Sequence, residues 1–149
     1  AFLFREFPLG TNLRPDYLLV GKNSGGYNFI FVEFESPGSC TKNDGEFGET
    51  IERGISQIEK WQRWLDEEYS TLYKEFEKHL GTFNRNLPKE FYKFDSSRMH
   101  YVVVAGRRKH FNENTYYLRR RLLEKEKITL LHYDNLVDSM DWLISTGNY

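Results

Sequence analysis

The chain is short of cysteine: Cys40 is the only one among 149 residues. One thiol excludes an internal disulfide framework and a multi-cysteine metal site, and it suits a reducing cytoplasm. Cys40 itself reads as a thiol near solvent in a loop. It does not read as a nucleophile, because no His-bearing segment is its obvious partner. Long apolar runs are absent as well, so neither a membrane span nor a signal peptide is expected. Also missing is a Gly-rich loop between a strand and a helix, which argues against a small-molecule enzyme built around bound phosphate. His79, His100, His110 and His132 show no metal-ligand spacing, and His132 reads as structural. Net charge is nearly absent too, at -1. That total excludes little, because it hides the basic runs Arg107-Arg108-Lys109 and Arg119-Arg120-Arg121 and an acid-rich stretch over residues 44 to 68.

What is present describes a folded α/β domain. Hydrophobic residues make up 39% and aromatics 17%, enough for a sizeable core in one domain spanning 1–149. Ala1 lies directly in an apolar stretch, which reads as a domain cut from a longer protein. Residues 2–9 read as a strand ended by Pro8 and Gly10, 16–21 as a second, and 27–35 as a third after the turn chemistry of Lys22-Asn23-Ser24-Gly25-Gly26. These three form an antiparallel meander, stopped by Ser36-Pro37-Gly38-Ser39. A polar loop over 37–48 precedes a long helix over 49–80, with Gly81 as its stop. The helix carries Ile51, Ile55, Ile58, Trp61, Leu65, Leu72, Phe76 and Leu80 at helical spacing. Trp61 and Trp64 read as core and rim packing. Glu49 and Glu52 suit the helix dipole in its first turn. After an irregular stretch over 82–97, residues 101–106 read as a central strand, apolar on both faces. A basic helix over 113–126, a strand over 128–133 and a helix over 134–144 capped by Asp134 complete the order β-β-β-α-β-α-β-α. The expected fold is a mixed sheet with helices on both faces.

The chemistry concentrates where the third strand ends, at Glu33-Phe34-Glu35. Side chains alternate along a strand, so Glu33 and Glu35 share one face with Phe29 and Phe31, and that face turns abruptly from apolar to acidic. A merely solvated face would not begin with two phenylalanines. Two neighbouring carboxylates at a buried strand end repel each other and lose hydration, so a compensating cation is expected. Asp16 is a third carboxylate, just before the apolar run Tyr17-Leu18-Leu19-Val20; its bland alternative is a turn cap after Pro15.

Pro15-Asp16, the strand ending Glu33-Phe34-Glu35, and Gln57-Ile58-Glu59-Lys60-Trp61 on the following helix resemble the PD-(D/E)xK nuclease core. Within that superfamily the chain looks most like the nuclease domain of Shedu-type anti-phage defence proteins. Val102-Val103-Val104-Ala105-Gly106-Arg107-Arg108 and Ile128-Thr129-Leu130-Leu131-His132-Tyr133-Asp134-Asn135-Leu136 extend the likeness over essentially the whole chain. The resemblance implies a restriction-endonuclease-like three-layer core and metal-dependent hydrolysis of DNA phosphodiesters. It implies Asp16 and Glu33 as ligands of Mg²⁺ or Mn²⁺, with Gln57 orienting the site, and no small-molecule cofactor. Trp61 stands where relatives often carry Tyr. The pattern's lysine position is occupied by Glu35. Three readings stay open: Glu35 is a further metal ligand or the general base; Lys42, in the loop after the strand, reaches back as a displaced lysine; or the site is weak or silent. The first, with Lys42 assisting, is preferred.

Arg107, Arg108 and Lys109 leave the end of a central strand together and would clamp the DNA backbone if that edge borders the acidic site. Arg119, Arg120 and Arg121 wrap around a helix and cannot all face one way. The resemblance also implies a homo-oligomer. The rival expectation is a catalytically silent module of the same fold that binds DNA or holds an oligomer together.

Overall fold

The computed structural model describes residues 1–80 and 87–146. Five strands form one mixed sheet in the order β1-β2-β3-β4-β5. They are β1 (Phe2–Arg5), β2 (Tyr17–Asn23), β3 (Gly26–Phe34), β4 (Met99–Val104) and β5 (Ile128–Leu131). Strands β1, β2 and β3 pair antiparallel, as the meander requires, and β4 pairs with β5 in parallel. The helices are α1 (Glu49–Leu80), α2 (Glu113–Glu126) and α3 (Tyr133–Thr146). The first two span the residues expected from the sequence. The expected stop at Gly81 lies outside the described residues.

The chain divides into two compact units, Ala1–Val32 with Gln57–His100, and Glu33–Ser56 with Tyr101–Tyr149. The first has an aromatic core. Phe7 stacks near Phe76 with ring centres 4.7 Å apart, Phe76 meets Phe91 edge-on at 4.8 Å, and Phe29 meets Phe91 at 5.2 Å. Edge-on and offset pairs of this kind satisfy the ring quadrupoles as well as burying area. Trp61 is buried as expected, and Trp64 is half-buried. The β2–β3 turn is held by Arg98, which donates to the carbonyls of Tyr27 (3.1 Å) and Gly25 (2.8 Å). Strand β1 stops four residues short of the expected end at Leu9. Glu6 takes a left-handed conformation (φ 49°), which breaks the extended run.

The second unit buries Ile51, Val103, Val104, Ala105, Ile128 and Leu130. Its polar loop is an ordered structure. Thr41 bridges Phe47, the Thr41 hydroxyl donates to the His110 carbonyl (2.7 Å), and Thr115 Oγ1 donates to the Gly45 carbonyl (2.7 Å). Cys40 contradicts the expectation of a solvent-near thiol. It is buried, its Sγ lies 4.0 Å from the Ala105 carbonyl, and burial pushes its thiol pKa up. The reason is Gly106: a Cβ there would sit 2.2 Å from Cys40 Sγ, so the absent side chain is the space the sulfur fills. Gly106 also adopts φ +66°, which glycine accepts without strain.

Asp134 is the other correction. It lies inside the first turn of α3 and does not cap it, because helix α3 begins at Tyr133. The cap-like bond comes from Asn135, whose Oδ1 accepts from the His132 backbone N–H at 3.0 Å. Asp134 instead binds Arg107, as described below.

Candidate functional site

Glu33 is the penultimate residue of β3 and Glu35 is the first residue beyond it. Strand alternation gives both the side of the chain that buries Phe29 and Phe31, which are fully enclosed. Phe34 turns the other way and its ring lies 6.0 Å from that of Tyr133. The backbone of Glu35 is fixed at both ends. Its N–H donates to the Val104 carbonyl at 2.8 Å, and its carbonyl accepts from the Tyr133 hydroxyl. These bonds extend strand geometry past the formal end of β3, so Glu35 keeps the orientation that alternation predicts.

Both carboxylates are drawn inward. One oxygen of Glu33 is buried, and the Glu35 side chain is only 11% exposed. Charge held so far from water needs a partner. Arg53, from the second turn of α1, supplies one: its Nε donates to Glu35 Oε2 at 3.2 Å. The adjacent Gly54 makes that approach possible. A Cβ at Gly54 would lie 2.7 Å from Val103 Cγ1 and 3.3 Å from Glu35 Cγ. The helix therefore runs against β4 at this point because no side chain intervenes.

Sequence reasoning did not find Arg53 or Gly54. A signal for Gly54 existed: it lies three residues after Ile51 and four before Ile58, on the apolar stripe of α1. No sequence signal identifies Arg53, because its partner is 18 residues away in another element.

The other expected residues are placed as follows. Asp16 is half-buried on a bend immediately before β2, and its carbonyl accepts from the Glu6 N–H at 2.9 Å. The β2–β3 ladder closes on the pair Tyr17–Val32. Gln57 is half-buried on α1, one turn after Arg53. Lys42 is exposed in the turn between Thr41 and Phe47, where its N–H donates to the Glu46 carbonyl at 2.8 Å. The structure thus brings together Glu33, Glu35 and Arg53 within one unit, and sets Lys42 on the surface of a turn.

The basic group after β4 is engaged internally. Arg107 forms a two-pronged ion pair with Asp134, Nε to Oδ2 at 3.0 Å and Nη2 to Oδ1 at 2.7 Å. The Arg108 N–H also donates to Asp134 Oδ2 at 2.7 Å, and the Arg108 guanidinium pairs with Asp138. The Asp134 carboxyl is accordingly held well below the usual carboxylate range, first by the Arg107 hydrogen bonds and then by the Arg108 N–H. Lys109 is exposed. On α2 the arginines divide as helical geometry requires: Arg119 lies over Tyr116, Arg121 lies over Tyr117, and Arg120 is exposed.

Among the described residues, no three His, Cys, Asp or Glu side chains gather as a metal cage. A hard cation of the magnesium type needs less, since one or two carboxylates, waters and a substrate phosphate can complete its shell. Glu33 has the donor chemistry for that role. Glu35 is already bonded to Arg53. The carboxylate donors at this strand end fit a sparsely held divalent cation.

The family model for the Shedu protein SduA, C-terminal, matches residues 1–137. The chain belongs to this Shedu family. No curated protein and no solved structure matches it. Shedu membership associates the chain with anti-phage defence. Among the described residues, no helix of this Shedu domain is long and apolar enough to cross a membrane.

Proposed function

We propose that this Shedu domain is a metal-dependent DNA nuclease of the PD-(D/E)xK type, acting against phage DNA in the bacterial cytoplasm. The supporting observation is the acidic end of β3 on a chain of this family: Glu33 and Glu35 turned to the enclosed side of the sheet, with Arg53 bonded to Glu35. In this reading Asp16 and Glu33 are the ligands of Mg²⁺ or Mn²⁺, and Glu35 contributes as a ligand, a general base or a positioning group. Gln57 orients the site, and Lys42 assists with phosphate charge. A bound divalent cation would activate water and offset charge on the scissile phosphate. The chain's own task is to orient the phosphodiester and exclude bulk water from one side. Lys109, with Arg107 and Arg108, would touch the DNA backbone, and a second copy of the chain would complete the assembly.

A second reading is favoured by one specific feature. Glu35 occupies the position where the nuclease pattern has lysine, so the domain would bind DNA or a second copy without cutting. Calorimetric titration of Mn²⁺ into the domain, beside incubation with linear and nicked DNA, separates the two. The nuclease reading expects saturable metal binding and cleavage, both lost in Glu33→Ala. DNA binding without metal-dependent cleavage would establish the silent module instead.

A further inference from the structure

We propose that Arg53 is the phosphate-binding cation of this site, set on α1 in place of the absent strand lysine, with Glu35 as its positioning carboxylate. The inference deepens the nuclease reading and rests on it for the identity of the phosphate. It arises from a contrast between two partners in one ion pair. Glu35 is enclosed, at 11% side-chain exposure, whereas Arg53 is 56% exposed. The carboxylate lies behind and the guanidinium in front.

The bond between them uses Arg53 Nε and Glu35 Oε2, at 3.2 Å. It leaves both terminal nitrogens of the guanidinium available. A planar fork of that kind is suited to two-point binding of phosphate oxygens. An exposed arginine on a helix ordinarily samples many rotamers. Here the Nε bond fixes the fork's direction, which lowers the ordering cost of gripping a phosphate. Gly54 fixes the height of the helix against Val103, so Arg53 reaches Glu35 without extending α1 outward.

The other cations suggested by the sequence are placed differently. Arg107 and Arg108 are bonded to Asp134 and Asp138 of α3, and Lys42 stands on an exposed turn. Arg53 is bonded directly to the residue that replaces the lysine. On this account the positive charge stands on the helix rather than on the strand, and Glu35 aims it.

The test measures DNA binding by fluorescence anisotropy with a short labelled duplex in calcium buffer, over a series of salt concentrations. Each phosphate contact contributes about 0.9 to the slope of log affinity against log salt. Arg53→Gln is expected to weaken binding several-fold and to lower that slope by about one contact. Arg53→Lys should retain the slope. The double variant Glu35→Gln/Arg53→Gln discriminates roles: if Arg53 grips phosphate, the double variant keeps the lowered slope. Recovery of the parental slope in the double variant would show that Arg53 only neutralises Glu35, and would overturn the proposal. So would an unchanged slope in Arg53→Gln, or an intact domain with no salt-dependent DNA binding. Cleavage is scored separately on the same proteins. An intact domain that binds DNA but never cuts it refutes the nuclease reading while the slope still decides Arg53.

Discussion

At the scale of single residues, Gly54 and His132 carry the clearest consequences. Gly54 is a helix-interior glycine, and replacing it with alanine on an open helix would gain up to about 1 kcal/mol of propensity. Here the new methyl would lie 2.7 Å from Val103 Cγ1, on a fully buried β-branched side chain that is stiff at χ1. Overpacking of this kind costs about 1–3 kcal/mol, so the clash wins. Gly54→Ala should lower the urea midpoint of unfolding, by a net destabilisation of about 1 kcal/mol. Val103→Ala should recover part of that loss in the same background. A raised midpoint in the single variant would disprove the close approach of α1 to β4.

His132 is buried, with Nε2 3.3 Å from the Tyr116 hydroxyl and Nδ1 4.0 Å from Asp134 Oδ2. Burial lowers its pKa first, and the nearby Arg108 charge adds to that, while Asp134 opposes them. In the unfolded chain an imidazole titrates near about 6.5. Between the lowered folded value and that point, the unfolded state binds the extra proton, so stability rises with pH. Above the unfolded value the contribution is fully present; it is lost as the solution is acidified below it. Melting temperatures measured from neutral to mildly acidic pH should fall, and His132→Gln should flatten that slope. The Asp134 carboxyl, held low, acts in a separate and more acidic window: its stabilisation is present above the ordinary carboxylate pKa and is lost as pH falls toward the folded value.

At the scale of elements, one carboxylate anchors the start of α3. Asp134 accepts from Arg107 through two nitrogens and from the Arg108 N–H, which ties the start of α3 to the segment after β4. Asp134→Asn should speed amide hydrogen exchange through α3 while leaving α2 protected. Equal protection of α3 in the variant would show that the tie is dispensable.

The same scale shows what the sequence could reveal. Helix α1 was legible to the residue because its apolar positions repeat at helical spacing, and α2 matched the basic helix expected over 113–126. The acidic strand end was legible because alternation is a rigid rule: Phe29, Phe31, Glu33 and Glu35 share a side by geometry alone. Strand β1 was overrun because a left-handed Glu6 has no composition signature. Cys40 was misplaced because its burial depends on the side chain missing at Gly106, next to the Ala105 acceptor that lies 65 residues away in sequence. Arg53 was invisible for the same reason. Its role emerges only when α1 is laid against the strand end.

At the scale of the whole molecule, the sheet arranges its chemistry economically. The antiparallel meander delivers the two glutamates to the end of β3, and the parallel β4–β5 pair delivers Val104 and Tyr133 to hold Glu35 in line. The family supplies the setting of phage defence, and the strand end supplies a reason to expect chemistry there. The most direct measurement is a time course of DNA cleavage by the intact domain with Mn²⁺, repeated with EDTA and with Glu33→Ala. The account predicts cleavage that requires the metal and disappears in Glu33→Ala while DNA binding persists. Cleavage undiminished in Glu33→Ala, or none at any metal concentration by a folded, DNA-binding protein, would contradict it.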